Sequence, residues 1–182
     1  MKTPSLVIVS AVRTPFSRAG TDLAHLDAVE LGRHAVSSLL TRTGIDPMLV
    51  DETILGCVGQ PADAMNIARV VALRAGLPES KPAMTVHRNC ASGLEALTLA
   101  HAKMCAGQGE VFIVGGTESM SQVPMGGYRM SPNPCLVDDL PDAYLAMGLT
   151  AENVSSQYGI SRVDQDAFSF QSHQKAIAAL DA

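Results

Sequence analysis

The chain has 182 residues, a formal net charge of −5 at neutral pH, and hydrophobic residues at 47% of its positions. That length fits one ordinary domain, or one domain with an excursion, and the composition is ample for a packed core rather than a disordered chain. The acidic balance and the lack of Lys or Arg runs argue against nucleic acid or an anionic membrane as the main partner. No segment approaches the roughly 20 apolar residues of a membrane span, so we expect a cytoplasmic protein.

The cysteines are widely spaced, without a Cys-x-x-Cys motif or a secretory context, so free thiols are expected rather than disulfides. They are Cys57, Cys90, Cys105 and Cys135. Together with His87 and His101, Cys90 and Cys105 have a spacing that resembles the two ligand pairs of a zinc finger. If Cys90 and Cys105 bracket one helix, however, they lie about 22 Å apart and cannot share an ion. We therefore expect no metal site.

The first half of the chain alternates predicted strands and helices. Residues 6–11 are an almost continuous apolar, β-branched run, which is typical of a strand covered on both faces. Residues 27–43 repeat apolar side chains at helical spacing, and Gly44 follows as the stop. Residues 46–47, Asp-Pro, predict a short helical turn, and residues 52–58 predict a second strand.

The same alternation continues to residue 116. Residues 65–75 predict a second helix that ends at Gly76. Residues 83–87 predict a third strand that runs directly into a helix over residues 91–106, and residues 111–114 predict a fourth strand. Four strands alternating with three helices predict an α/β fold in which a largely parallel sheet is flanked by helices.

The last third of the chain begins with a loop rich in Met, Gly and Pro, whose methionines either line a passage for an acyl or pantetheine chain or fill irregular core gaps. Helices then return. Thr150 predicts an N-cap for residues 151–158, and Ser161 with Asp164 has the pattern of a capping box that opens residues 162–180. The buried contacts of this last helix are predicted to come from Ala167, Phe168, Phe170, Ile177 and Leu180.

Cys90 stands at the corner where the predicted third strand turns into a helix. A cysteine at a helix start meets unpaired N–H groups and the positive end of the helix dipole, which favour the thiolate. Ala91, Ser92 and Gly93 leave room for an acyl carbonyl, whose oxyanion the backbone N–H groups would stabilise. The alternative is a small hydrophobic residue buried in a tight turn. The sequence therefore makes Cys90 the candidate nucleophile.

Four short segments resemble those of the thiolases, a family of acyl-CoA C-acyltransferases. Residues 89–93, Asn-Cys-Ala-Ser-Gly, are similar to the active-site cysteine motif of that family. Residues 11–16, 115–121 and 161–166 are similar to further thiolase segments and occur in the family's order. His87 is a departure, because many thiolases carry Asn at this place.

The resemblance implies the N-terminal half of a thiolase, with residues 1–116 as the α/β core and residues 117–182 as the beginning of an inserted loop domain. It implies acyl transfer by a ping-pong route through an acyl-cysteine at Cys90, whose backbone N–H contributes to an oxyanion hole. Met147 falls where some members contact CoA, and Ala146 falls where some carry His. Family members supply the activating histidine, a second cysteine and an Asn-associated water from a second half.

The resemblance further implies acyl-CoA and CoA as partners, no cofactor other than coenzyme A as the acyl carrier, and either a homo-oligomer or pairing with a C-terminal half. Two alternatives stay open. One is a condensing enzyme of the ketoacyl synthase type. Residues 13–15 and 115–118 favour a thiolase over this alternative. The other is a non-catalytic interaction module that keeps the fold and pairs with another subunit.

Overall fold

A computed structural model describes residues 5–181. The chain divides into two compact units, with the boundary between Met130 and Ser131. The assignment of residues 117–182 to an inserted loop domain stays a prediction. Within the described range, no helix combines the length and the apolar character needed to cross a membrane.

The first unit is a three-stranded parallel sheet with helices packed against it, which confirms the predicted fold class. The strands are β1 (Glu52–Gly56), β2 (Ala83–Val86) and β3 (Phe112–Gly116), in the spatial order β2-β1-β3. The helices are α1 (Ala28–Thr43), α2 (Ile67–Arg74) and α3 (Ser92–Cys105), and a 3-10 turn spans Pro47–Leu49.

The prediction of a strand at residues 6–11 is wrong for the described structure, in which no strand lies between residues 5 and 51. Val7, Ile8 and Val9 are 72%, 67% and 89% exposed. The segment borders a cavity whose other wall includes the end of β3, instead of pairing with the β3 edge. An apolar run becomes a strand only where a neighbouring strand satisfies its N–H and C=O groups.

Strand β1 is buried along its whole length and separates two apolar cores. Leu55 belongs to the core that includes Val36 of α1 and Val71 of α2. Ile54, the preceding residue, belongs to the core that includes Ala96 of α3. Successive side chains of a strand point to opposite faces, so α3 covers one face of the sheet while α1 and α2 cover the other. Each fully buried Val, Leu or Ile contributes about 1.5–3 kcal/mol to this packing.

Local capping sets both ends of α1, of which the sequence predicted the stop at Gly44. Asp27 is the N-cap, and its carboxylate accepts a hydrogen bond of 2.7 Å from the Glu30 N–H. Gly44 ends the helix in the left-handed conformation at φ 62°. The predicted turn at residues 46–47 is confirmed too, because Asp46 caps the 3-10 turn through the Met48 N–H.

Strand β1 ends two residues earlier than predicted. After Gly56 the chain turns, and the N–H groups of Val58 and Gly59 donate to the carboxylate of Glu118 at 2.8 and 3.0 Å. In a longer strand these N–H groups would donate to a neighbouring strand, and here the Glu118 carboxylate accepts them instead. This contact joins residues far apart in sequence.

The second unit is helical, with α4 (Pro134–Asp139), a 3-10 turn (Pro141–Tyr144), α5 (Met147–Tyr158) and α6 (Arg162–Leu180). The predicted cap of α5 is wrong, because Thr150 lies inside the helix and donates to the Ala146 carbonyl at 3.3 Å. The predicted cap of α6 is confirmed: the Asp164 N–H donates to the Ser161 hydroxyl at 3.1 Å.

The prediction that α6 buries its apolar side chains is wrong. Phe168, Phe170 and Ile177 are 77%, 64% and 58% exposed, and the other two predicted contacts, Ala167 and Leu180, are exposed as well. Phe168 and Phe170 are two positions apart and therefore point about 200° apart around a helix. Such a distribution forms no single stripe that one neighbouring element can cover.

Asp51 offers a test of how the sheet is held together. Its carboxylate accepts the N–H groups of Glu110 and Val111 at 2.7 and 3.0 Å, and these hydrogen bonds lower the pKa of Asp51 below its ordinary value of 3.8. A lowered pKa in the folded state stabilises the fold above the ordinary value, and this contribution is lost as pH falls through the folded value. We expect Asp51→Asn to reduce the free energy of unfolding at neutral pH by about 0.5–1 kcal/mol, after allowance for solvent screening.

Urea unfolding at neutral pH and near pH 3 measures this, with the substitution Asp63→Asn at an exposed carboxylate as the matched control. The difference between wild type and Asp51→Asn should shrink at the lower pH. A difference that is the same at both pH values would contradict this account.

Candidate active site

The carboxyl ends of the three parallel strands meet at one edge of the sheet, where Gly56 of β1 is paired with the last residue of each neighbouring strand, Val86 and Gly116. Cys57 follows β1, the turn that holds Cys90 follows β2, and Glu118 lies just beyond β3. Ligand sites of open α/β sheets lie at this edge. Cys57, Cys90 and Glu118, whose side chains can take part in chemistry, are therefore gathered where such a fold places its sites.

Cys90 lies in the short turn between Val86 and Ser92, and its side chain is exposed. Helix α3 begins one residue later than predicted, so Cys90 lies two residues before its first residue, Ser92. Ala91 is the N-cap, and within the described chain no side chain caps this helix. Uncapped N–H groups together with the helix dipole favour negative charge directly in front of the helix.

Hydrogen bonds from both sides close the turn around Cys90. The Arg88 N–H donates to the Ser92 hydroxyl oxygen at 2.8 Å, and that hydroxyl donates to the Asn89 carbonyl at 2.6 Å. The Arg88 guanidinium also pairs with the Glu95 carboxylate at 2.6 Å, which ties the same turn to the first turn of α3. Asn89 itself has φ 44°, and it is the one non-glycine residue of the described chain with a positive φ.

Three glycines allow the start of α3 to approach the sheet edge. A Cβ added to Gly56 would lie 2.5 Å from the Ser92 carbonyl carbon and 2.8 Å from the Gly93 nitrogen. A Cβ added to Gly116 would lie 3.3 Å from the Gly56 oxygen and 3.6 Å from the Gly93 Cα. Any side chain at Gly56 would push the helix away, so the place of Cys90 depends on the absence of a side chain there.

A cavity of about 860 Å³ lies within the first unit beside this edge. Its lining includes both Cys90 and Cys57, together with Leu94 of α3 and residues 10–19 of the extended N-terminal segment. Its volume is in the range of small-molecule sites. Cys90 therefore borders a space that a ligand can enter.

Cys57 is the second thiol at this edge, and its environment is the opposite of that of Cys90. It is 1% exposed, and its Sγ lies 3.8 Å from a carboxylate oxygen of Glu118. Burial and then the negative charge of Glu118 raise the pKa of Cys57 to about 12. At neutral pH Cys57 is a neutral thiol and a poor nucleophile.

The polar residues after β3 serve mainly to hold the chain in place. The Thr117 hydroxyl donates to the Ala28 carbonyl at 2.6 Å, and the Ser119 hydroxyl donates to the Leu26 carbonyl at 2.8 Å. Ser121 accepts the N–H of a residue in the same early part of the chain, Gly20. The sequence analysis did not predict this role. The available signal was the cluster of polar side chains, Thr117, Glu118, Ser119 and Ser121, directly after a buried strand.

His87 and Met147 were singled out in the sequence and lie in different units. His87 is exposed, and its Nδ1 is 3.5 Å from the Asn89 nitrogen, so the residue at this place still faces the backbone of the Cys90 turn. Met147 is the first residue of α5 in the second unit and is 70% exposed. It borders a smaller cavity of that unit, of about 460 Å³. Its role in binding CoA stays a prediction.

Among residues 5–181, no group of three or more His, Cys, Asp or Glu side chains is placed to hold a metal ion. His101 and Cys105 are neighbours on one helix, with Nε2 3.5 Å from Sγ, as their spacing predicted. Cys90 and Cys105 lie at opposite ends of α3, so the zinc-finger arrangement does not form.

Comparison with known families identifies the sequence pattern around this site. The profile of the thiolase N-terminal domain matches residues 6–182. The chain belongs to the thiolase family. The match extends across both units, and it includes the Cys90 turn as well as the segment after β3.

Individual thiolases share this part of the sequence. A 3-ketoacyl-CoA thiolase of Bacillus subtilis is 44% identical over 176 residues, which are 96% of this chain and 45% of that protein. An acetyl-CoA acetyltransferase of Chromobacterium violaceum is 45% identical over 190 residues, which are 97% of this chain and 48% of that protein. This thiolase chain thus spans about half the length of these relatives.

A solved structure agrees with the sequence comparisons. The crystal structure of the acetyl-CoA acetyltransferase of Bacillus anthracis matches with a TM-score of 0.81 at 35% identity, over 96% of this chain and 47% of that one. The thiolase assignment therefore rests on the fold as well as on the sequence.

The two thiols at the sheet edge differ enough for chemical labelling to separate them. At neutral pH we expect iodoacetamide to modify Cys90 at least about tenfold faster than Cys57, because burial and a pKa of about 12 keep Cys57 neutral. Peptide mass spectrometry measures the labelling of each cysteine under native conditions. Exposed Cys105 and Cys135 are the controls for accessibility alone. If Cys90 reacts no faster than these two, the case for an activated thiol at the helix start is lost.

Proposed function

We propose that this chain is the N-terminal part of a thiolase-type acyltransferase that cleaves or condenses 3-ketoacyl-CoA through an acyl-cysteine at Cys90. The observation that carries the proposal is the exposed thiol in front of an uncapped helix, on a ligand-sized cavity, in a chain that matches the thiolase N-terminal domain. The names of the relatives, 3-ketoacyl-CoA thiolase and acetyl-CoA acetyltransferase, indicate this substrate class.

In the degradative direction, the Cys90 thiolate attacks the C3 carbonyl of a 3-ketoacyl-CoA, and the electron pair of the C=O bond moves to the oxygen. Backbone N–H groups at the Cys90 turn stabilise this oxyanion. Its collapse breaks the C2–C3 bond, and the leaving enolate takes a proton to become acetyl-CoA. The thiol of a second CoA then attacks the acyl-cysteine, loses its proton, and releases a shortened acyl-CoA and free Cys90.

The cycle needs groups that move protons, and the surroundings of Cys90 offer few. Cys57 holds its proton too tightly to exchange it near neutral pH. By resemblance to thiolases, the activating histidine, a second cysteine and an Asn-bound water are expected in the half of the relatives that this chain does not span. We propose that a second half completes the site, either in a longer protein or as a separate chain.

The open side of α3 supports this pairing. Ser92, Ala96 and Ala100 face the sheet and are buried, whereas Leu94 on the other side is 65% exposed. The other exposed positions of α3 are Gly93, Thr98, Ala102 and Cys105, so this side of the helix presents no exposed charge, and such a surface is typical of one that another element covers. Because the covering half is proposed to carry catalytic groups, burial of Leu94 and completion of the site would happen together.

The remaining parts of the proposal concern coenzyme A, the compartment and the assembly. Coenzyme A serves as the acyl carrier, with no other cofactor and no metal, and Met147 of α5 contacts it. The place of action is cytoplasmic lipid metabolism, and the assembled protein is a homo-oligomer. A non-catalytic module that keeps this fold and only pairs with another subunit is the competing function, and the two experiments below distinguish them.

The acyl-enzyme is the first test. Incubation with acetyl-CoA should add an acetyl group to Cys90, detectable by peptide mass spectrometry, because a thiolate displaces CoA from its thioester. The Cys90→Ser variant should lose this adduct by a factor of at least about 100, since a hydroxyl is a far weaker nucleophile at a site built for a thiolate. Cys105→Ser, at the far end of α3, is the matched control and should acylate normally. Equal acylation of both variants would move the chemistry away from Cys90.

Turnover is the second test. The chain alone should show no useful thiolysis, because an isolated nucleophile lacks its base and proton-exchange partner, and such groups contribute orders of magnitude to rate. It should also elute as dimers or larger species in size-exclusion chromatography, and a separately expressed C-terminal half of a thiolase should restore turnover. A stable monomer with substantial thiolysis by itself would refute the proposed incompleteness. Pairing without any turnover would favour the non-catalytic module.

A further inference from the structure

The proposed chemistry does not use Ser92, yet its hydroxyl contacts the turn that presents Cys90, at Arg88 and Asn89. It is 4% exposed, although Cys90 two residues earlier is exposed. We propose that Ser92 is a positioning residue, whose hydroxyl holds the turn over residues 88–92 and thereby orients the Cys90 thiol in front of α3. The catalytic consequence rests on the proposed acyl-cysteine function of Cys90, whereas the positioning itself can be measured without that function.

The direction of the Ser92 hydrogen bonds separates this role from ordinary helix capping. A capping serine lies at the N-cap and accepts N–H groups from the helix that follows. Here Ala91 occupies the N-cap, and Ser92 is the first helical residue. Its hydroxyl instead accepts the N–H of Arg88 at 2.8 Å and donates to the carbonyl of Asn89 at 2.6 Å. Both partners precede Cys90, so the hydroxyl bridges the turn rather than the helix.

The backbone that Ser92 holds is unfavourable without support. Asn89 adopts φ 44°, in the left-handed region that residues other than glycine rarely occupy. Its carbonyl oxygen accepts both the Ser92 N–H at 3.1 Å and the Ser92 hydroxyl at 2.6 Å. Two donors on one carbonyl fix the orientation of the peptide that leads into Cys90. Loss of the hydroxyl would remove one of them and leave the Arg88 N–H without this acceptor.

The sheet holds Ser92 from the other side. A Cβ on Gly56 would lie 2.6 Å from the Ser92 Cβ, so the serine packs directly on the backbone at the end of β1. Ser92 therefore connects the end of β1, which its backbone and Cβ contact, to the turn that carries the nucleophile, which its hydroxyl holds. This connection keeps the Cys90 turn directly in front of α3, and reactive geometry of this kind is sensitive to displacements of about 1 Å.

The test measures alkylation of Cys90 by iodoacetamide, residue by residue, in the 182-residue chain from about pH 6 to about pH 10. We expect Ser92→Ala to slow the reaction of Cys90 about tenfold at neutral pH. Thr43→Val is the matched control, because it removes a similar hydroxyl-to-carbonyl bond, from Thr43 to Leu39 at 2.8 Å, at the end of α1. Its rate and profile should equal those of the wild type.

Two further variants separate positioning from general stability. Ser92→Thr keeps a hydroxyl and should retain the Cys90 rate to within about threefold. Asn89→Gly removes the strain of the left-handed conformation, so in that background Ser92→Ala should slow Cys90 by clearly less than the tenfold seen alone, a coupling that a double-mutant cycle detects. A wild-type rate for Ser92→Ala would overturn the proposal. An equal loss in Thr43→Val, or fully additive effects in the cycle, would also overturn it. If Ser92→Ala does not fold, a tenfold loss in a folded Ser92→Thr chain overturns the proposal.

Acetylation by acetyl-CoA distinguishes a failure of this inference from a failure of the proposed function. If wild-type Cys90 is never acetylated but Ser92→Ala still slows alkylation, the thiolase activity of this chain fails and the positioning role stands. If Cys90 is acetylated equally well in the wild type and in Ser92→Ala, with equal alkylation, the function stands and the positioning role fails.

Discussion

The contact between Gly56 and the start of α3 is the constraint on which the rest of the site depends. A helix can begin this close to the end of a buried strand only because Gly56 carries no side chain, with the Ser92 backbone where a Cβ would otherwise be. Because α3 begins so close to the sheet, the turn after β2 is short. This short turn contains Asn89 in the left-handed conformation. The exposed thiol of Cys90 is thus a consequence of backbone packing in the sheet, rather than of the cysteine itself.

The segment after β3 shows how a family motif can be structural while it borders a site. Thr117, Glu118 and Ser119 each bond a different backbone group elsewhere in the first unit, at Ala28, at residues 58–59 and at Leu26. These bonds hold the loop after β1 and the chain before α1 at one edge of the sheet. The segment therefore forms part of the wall of the cavity, while the proposed chemistry lies in the turn after β2.

Features that depend on neighbouring residues were predictable from the sequence, and features that depend on distant partners were not. The stop at Gly44 and the cap at Ser161 follow from local backbone chemistry, and the sequence placed both of them. The strand expected at residues 6–11 needed a neighbour that the described chain does not place beside it, and no local pattern reports that. The Cys90 turn lies between these cases: its position was evident, but the left-handed Asn89 and the backward bonds of Ser92 require the fold.

The contrast between Cys57 and Cys90 shows why a reactive thiol cannot be chosen from position at the sheet edge alone. Both follow parallel strands and border the same cavity. Burial against a core and the charge of Glu118 keep the proton on Cys57, and the strand before it leads into a loop that Glu118 holds. Cys90 precedes a helix whose first N–H groups have no side-chain cap in the described structure. The same edge therefore holds one buried thiol that stays neutral and one exposed thiol in front of a helix dipole, which is why the acyl-cysteine is proposed at Cys90.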